Sequence, residues 1–152
     1  HNHTSPSLGK GAFSSFRKPR EETVMGGVDV VKSLYDAYAK RDIKGALDHC
    51  ADDVVFRWVA EPGAPYIRAG NGKEEFLARL KSLDNDFEYR SFRPLDYIHS
   101  GDRVAVQVEI HLTRRTNGQE LVMRTADFWT VRDGKVVEMV EYYDTALAAS
   151  VL

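Results

Sequence analysis

The chain has 152 residues, 43% hydrophobic and 29% charged, with a formal net charge of -2; this suits one globular domain with one sizeable core. No apolar run approaches the roughly 18–20 residues that cross a bilayer, and the single cysteine, Cys50, excludes an intramolecular disulfide, so cytoplasmic residence is the expectation. The charge is uneven: Lys10, Arg17, Lys18 and Arg20 stand without an acid in residues 1–20, which leaves -6 on the remaining body and argues against a nucleic-acid surface there.

Residues 1–26 carry Ser, Gly, Pro and basic residues without hydrophobic periodicity and read as an extended arm outside a single domain spanning 27–152. Its "HNH" is compatible with a tag remnant and Met25 with a natural start. From Val28 the spacing of Val31, Leu34, Tyr35 and Tyr38 predicts a helix. Asp42 caps a short second helix with Ile43, Ala46, Leu47 and Cys50 on its inner face. "DVVFRWV" alternates, which places Val54, Phe56 and Trp58 on one side of a strand. "EPGAPYIRAGNG" reads as a loop, and Asn71 with Glu74 as a capping box opening a third helix that turns Phe76, Leu77, Leu80 and Leu83 inward.

Beyond "LDND" the pattern is strand-like. "FEYRSFRPLDYI" comes first, with Pro94 marking an edge or a bulge. "RVAVQVEIHLTRR", "LVMRTADFWTV" and "KVVEMVEYYD" follow, joined by the hairpin signals Asn117-Gly118 and Asp133-Gly134. Helices followed by an antiparallel meander make an α+β domain, its helices covering one face of a curved sheet.

Register decides which carboxylates are inside. A two-residue Asn-Gly turn pairs Thr116 with Gln119, and therefore Asp127 with Val108 and Thr125 with Ile110. Asp127 then shares the apolar face with Val108, Ile110, Leu112, Met123 and Trp129, while Gln107, Glu109, His111 and Arg124 collect on the other. In the last hairpin a strict two-residue turn pairs Asp127 with Val140. A glycine bulge at Gly134 pairs it with Met139 instead, turning Val137, Met139, Glu141 and Tyr143 inward. The bulge is preferred because it buries Met139 and exposes Glu138, and it makes Asp127 and Glu141 diagonal neighbours.

The helical segment, "ADDVVFRW", "GNGKEEFLARL" and "ADFWTVRDGKVVEMVEYYD", over residues 27–146, resemble the SnoaL-like, nuclear-transport-factor-2-like superfamily of cystatin-like fold. That superfamily includes ketosteroid isomerases, limonene epoxide hydrolase and polyketide cyclases. The resemblance implies a cone-shaped curved antiparallel sheet wrapped on three helices around a deep apolar pocket, and a homodimer through the convex sheet face. Asp127 matches the oxyanion-hole aspartate of ketosteroid isomerase, but its general base falls on Trp58 and its tyrosine on Leu34, with Tyr35 and Tyr38 close by. Glu141 in "EYYD" matches the water-activating aspartate of limonene epoxide hydrolase. The tyrosine and asparagine that position the water there fall on Phe56 and Trp58, and its arginine–aspartate pair near Gln107 and Glu109. One carboxylate of each scheme is kept and neither scheme is complete.

The expected chemistry is cofactor-independent acid–base catalysis on a small, largely apolar carbonyl compound, of isomerase, dehydratase or cyclase type. Asp127 is the expected acid or oxyanion donor and Glu141 the base, with Tyr38 and Tyr143 orienting. Leu34, Phe56, Trp58, Tyr66, Phe76, Val108, Met123, Trp129, Met139 and Tyr143 are the expected pocket lining. A non-catalytic ligand-binding or dimerisation domain is one alternative, and an epoxide hydrolase-like enzyme another. No spacing of His, Cys, Asp and Glu resembles a metal site, and no cofactor is expected.

Overall fold

The computed structural model describes residues 26–152, so the arm expected at 1–26 lies, but for Gly26, outside the described residues. Helix α1 (Gly27–Ala39) buries Val30, Val31, Leu34, Tyr35 and Tyr38, the face that the helical spacing marks out. Helix α2 (Ile43–Leu47) is capped as expected: Asp42 Oδ1 accepts from the Gly45 amide at 3.0 Å. Cys50 is not on that helix; it begins strand β1 (Cys50–Val59), where it is buried with Val54, Phe56 and Trp58. Part of the expected loop forms a short strand, β2 (Ala69–Asn71), paired with β1.

Helix α3 (Lys73–Asp86) opens without the expected capping box. Gly72 occupies the cap, and Glu75 rather than Glu74 reaches back to the Asn71 amide, at 2.8 Å. Its inward residues are Phe76, Arg79 and Leu80, with Leu77 and Leu83 half-buried. Strands β3 (Phe87–Ser100), β4 (Arg103–Arg114), β5 (Glu120–Arg132) and β6 (Lys135–Tyr143) complete a curved, unclosed sheet in the order β2-β1-β6-β5-β4-β3. Strand β3 is an edge and is bulged next to Pro94, so both features that proline signalled are present. Strand β1 runs parallel to β6, a pairing between distant segments. A short helix, α4 (Thr145–Val151), ends the domain, capped by Asp144.

Both hairpins correct the expected registers. The β4–β5 loop is longer than two residues: the last pair is Thr113 with Glu120, and Asn117 Oδ1 caps the turn at the Gln119 amide. Asp127 is therefore opposite Val106 rather than Val108. Because the slip is two residues, every side chain keeps its face, and Asp127 remains inside.

In the β5–β6 hairpin the turn is the strict two-residue type. Asp133 and Gly134 take φ of 51° and 74°, and Arg132 pairs with Lys135. The bulge comes one step later, where Val131 opposes Val136 and Thr130 opposes Glu138, so Val137 is the extra residue. Val136 and Met139 are thus both buried, Glu138 is exposed, and Asp127 lies directly opposite Glu141 rather than diagonal to it. Among the described residues no helix is long and apolar enough to cross a membrane.

Candidate functional site

Helices and curved sheet leave between them a cavity of about 350 Å³. Its walls are apolar and aromatic: Leu34 and Tyr38 from α1, Trp58 from β1, Phe76 from α3, and Met123, Trp129 and Met139 from the sheet. Tyr66, from the loop after β1, and Tyr143, at the end of β6, also line it, with Thr145, Ala148 and Val151 of α4. Phe56 and Val108, expected in the lining, stand behind it: Phe56 stacks on Phe76 at 4.9 Å between ring centres, and Val108 is sealed in the core.

Asp127 and Glu141 share the floor. Asp127 is 3% exposed. Its Oδ2 accepts the Tyr35 hydroxyl proton at 2.6 Å, and that hydroxyl in turn accepts from Trp129 Nε1 at 2.8 Å. The indole N–H fixes the direction of the Tyr35 hydroxyl, which can then only donate to the carboxylate. Glu141 has its own indole: Trp58 Nε1 donates to Oε2 at 2.6 Å. The second oxygen of Asp127, Oδ1, is enclosed and meets no donor, and Glu141 stands directly opposite Asp127 on the neighbouring strand.

Two carboxyl groups this close in an apolar cavity cannot both ionise cheaply. Burial pushes the Asp127 carboxyl up, and hydrogen bonds from Glu141 and Tyr35 pull it partly back. Burial pushes Glu141 well above its ordinary value, and the adjacent Asp127 charge pushes it further. Both carboxyls are therefore held above their ordinary values, Glu141 well above, and each keeps one neutral donor, Tyr35 on Asp127 and Trp58 on Glu141. The Tyr35 hydroxyl is itself held well above its usual range by burial and by the Asp127 charge, so it remains a donor.

Tyr38 is on the wall with its hydroxyl 2.7 Å from that of Tyr89, and the Arg41 guanidinium lies over both rings at 4.3 and 3.8 Å. The bond to Asp127 belongs to Tyr35, three residues earlier on the same helix face. Arg79 is a further wall residue outside the expected lining. It is 4% exposed, its Nε donates to the Ile67 carbonyl at 2.8 Å, and its guanidinium covers Trp58 at 4.2 Å and Tyr66 at 4.8 Å. Its position between the inward Phe76 and Leu83 was the available signal. Among the described residues no three His, Cys, Asp or Glu side chains converge as a metal site would require.

The fold has close counterparts. A Burkholderia pseudomallei protein described as nuclear-transport-factor-2-like and of unknown function is 26% identical, with a TM-score of 0.72 over 82% of this chain and 95% of its own. A candidate polyketide cyclase from Streptomyces antibioticus is 22% identical, with a TM-score of 0.70 over 84% and 100%. A candidate isomerase from Bacillus subtilis is 16% identical, with a TM-score of 0.72 over 82% and 90%. No curated protein matches the chain. The sequence family described as the SnoaL-like domain matches residues 31–139, from the inner face of α1 to Met139 on the cavity wall, and the chain belongs to the SnoaL-like family.

Proposed function

We propose that the protein is a cofactor-independent acid–base enzyme that moves protons on a small, largely apolar carbonyl compound, as an isomerase, dehydratase or cyclase does. One observation carries the reading: Asp127 and Glu141 face each other at the floor of an apolar cavity, biased so that one holds a proton and the other a charge. Neighbours of the same fold named as candidate isomerases and polyketide cyclases support the same reaction class.

Asp127 takes the proton from a carbon next to the substrate carbonyl. The C–H electron pair enters the carbonyl, whose oxygen receives the Glu141 proton, and the product of this half-reaction is the enol. Returning the Asp127 proton to another carbon of the conjugated system, and the enol proton to Glu141, gives the isomer and restores the pair. Tyr35 and Trp58 hold the two carboxyl groups in place throughout, and the apolar walls keep water from competing for the protons.

The assembly proposed with this site is a homodimer through the outer sheet face. Val55, Val122 and Tyr142 are 45%, 45% and 48% exposed there beside Phe128, and Glu109 gathers Arg124, Arg93 and His111 on the same face. The catalytic test is deuterium exchange: a panel of cyclic, β,γ-unsaturated and 1,3-dicarbonyl ketones is incubated with the protein in heavy water and followed by NMR. The wild type accelerates α-proton exchange of at least one member by about 100-fold or more over free carboxylate, and both Asp127→Asn and Glu141→Gln abolish the acceleration. Ligand binding without exchange anywhere in the panel would leave a binding domain and refute catalysis.

A further inference from the structure

The proton chemistry of Asp127 and Glu141 makes no use of the most deeply buried cation on the cavity wall. Arg79 spends one donor, Nε, on the Ile67 carbonyl, and its flat face on Trp58 and Tyr66. Its Nη1 is enclosed and meets no acceptor, and the side chain is part of the cavity wall. A guanidinium keeps its charge at any physiological pH, and burying one without an anionic partner is costly. Glu141 lies within its electrostatic reach but forms no ion pair with it, and burial and the Asp127 charge hold that carboxyl well above its ordinary value. A loop tether at Ile67 would need only a neutral donor, so holding the loop does not account for a buried charge. The groups within its electrostatic reach are Glu141 and the hydroxyls of Tyr89, Tyr38 and Tyr143, a polar corner in an otherwise apolar space.

We infer that Arg79 anchors an anionic oxygen of the ligand, and that the substrates are carbonyl compounds carrying a carboxylate at the end remote from the reacting carbon. Planar carboxylates match the guanidinium fork, and the aromatic ring beneath it orients that fork. The cavity, about 350 Å³, holds roughly a dozen water-sized groups. That is room for a one- or two-ring body along Leu34, Met123 and Trp129, with its acid at Arg79 and its carbonyl at the carboxyl pair. This assignment rests on the cavity being a ligand site and narrows what it accepts.

Matched probes of one shape test it: 2-naphthoate and the neutral 2-naphthamide, titrated by calorimetry against the wild type, Arg79→Met and Arg79→Lys. The wild type binds 2-naphthoate at least tenfold more tightly than 2-naphthamide, although its net charge of -2 disfavours anions in general. Arg79→Met removes the preference, and Arg79→Lys keeps part of it. Should Arg79→Met fail to fold by circular dichroism, the wild-type ratio and Arg79→Lys decide. Equal affinity of the wild type for both probes overturns the anchor and leaves the cavity as a binding site, as does a preference that survives in Arg79→Met. Failure of both probes to bind overturns the cavity reading and the anchor with it.

Discussion

Replacing Glu141 by glutamine should stabilise the fold at neutral pH while removing the acid of the site. The carboxamide oxygen can accept from Trp58 Nε1 as Glu141 Oε2 does, and the NH₂ group can face Asp127 Oδ1, so glutamine imitates the protonated glutamic acid. The folded protein holds Glu141 well above its ordinary value of 4.5, chiefly by burial and then by Asp127. A raised carboxyl favours the folded state fully below the unfolded value and loses that advantage as pH climbs toward the folded one. Over that window the unfolded chain has released a proton that the folded chain retains, and wild-type stability falls by up to about 1.4 kcal/mol per pH unit. Glutamine has no such term. Urea unfolding of both proteins from pH 4 to pH 9 reads the difference, in which groups common to both largely cancel. The two should agree within about 1 kcal/mol at pH 4, by the usual cost of a near-isosteric change, and the variant should gain steadily as pH rises. A difference that stays flat, or that favours the wild type increasingly toward pH 8, would mean that Glu141 is ionised and paired in the fold, and would refute the reasoning.

Tyr35→Phe leaves Asp127 Oδ2 without its donor and Trp129 Nε1 without its acceptor, both buried. At about 1–3 kcal/mol for each orphaned group, the loss should be roughly 2–6 kcal/mol by chemical denaturation, and a loss under about 1 kcal/mol would contradict the network. Burial pushes the Cys50 thiol up to about 12, so the native protein should resist iodoacetamide at pH 8 and react at once when denatured. Phe128→Glu on the outer face should convert a dimer into a monomer by light scattering with the melting temperature of the isolated fold little changed; an unaltered mass would place the contact elsewhere.

The faces of the sheet were legible because side chains alternate. The misjudged β4–β5 loop moved the register by two residues, and Asp127 with Val106, Met123 and Trp129 stayed on the core side. Glu141 faces inward as read, but for another reason. Asp133 accepts a left-handed conformation, the turn closes in two residues, and the extra residue appears at Val137 once the strand is under way. A bulge inside a strand has no local signature of the kind that glycine gives a turn. The helical period of α1 turned Tyr35 and Tyr38 the same way; which hydroxyl reaches Asp127 depends on how the helix sits across the sheet, which no local pattern encodes. Arg79 occupies an inward position that the period of α3 marks, but a charged side chain there reads as solvent-facing, and Leu77 as the apolar inward residue. The parallel pairing of β1 with β6 brings Trp58 onto Glu141, and nothing near either residue announces it. What local patterning determines is therefore the helices, the faces and the two carboxylates, while their partners come from contacts between distant segments.

The central claim is that Asp127 and Glu141 hold one proton between them at neutral pH. A site-resolved carbon-13 carboxyl titration by NMR, assigned with Asp127→Asn and Glu141→Gln, measures it directly. The account predicts two well-separated transitions, both above the ordinary carboxylate range, with Glu141 losing its proton last. Two transitions near 4 would mean that both groups are solvated or paired with cations, and neither would then be poised to give or take a proton at the substrate.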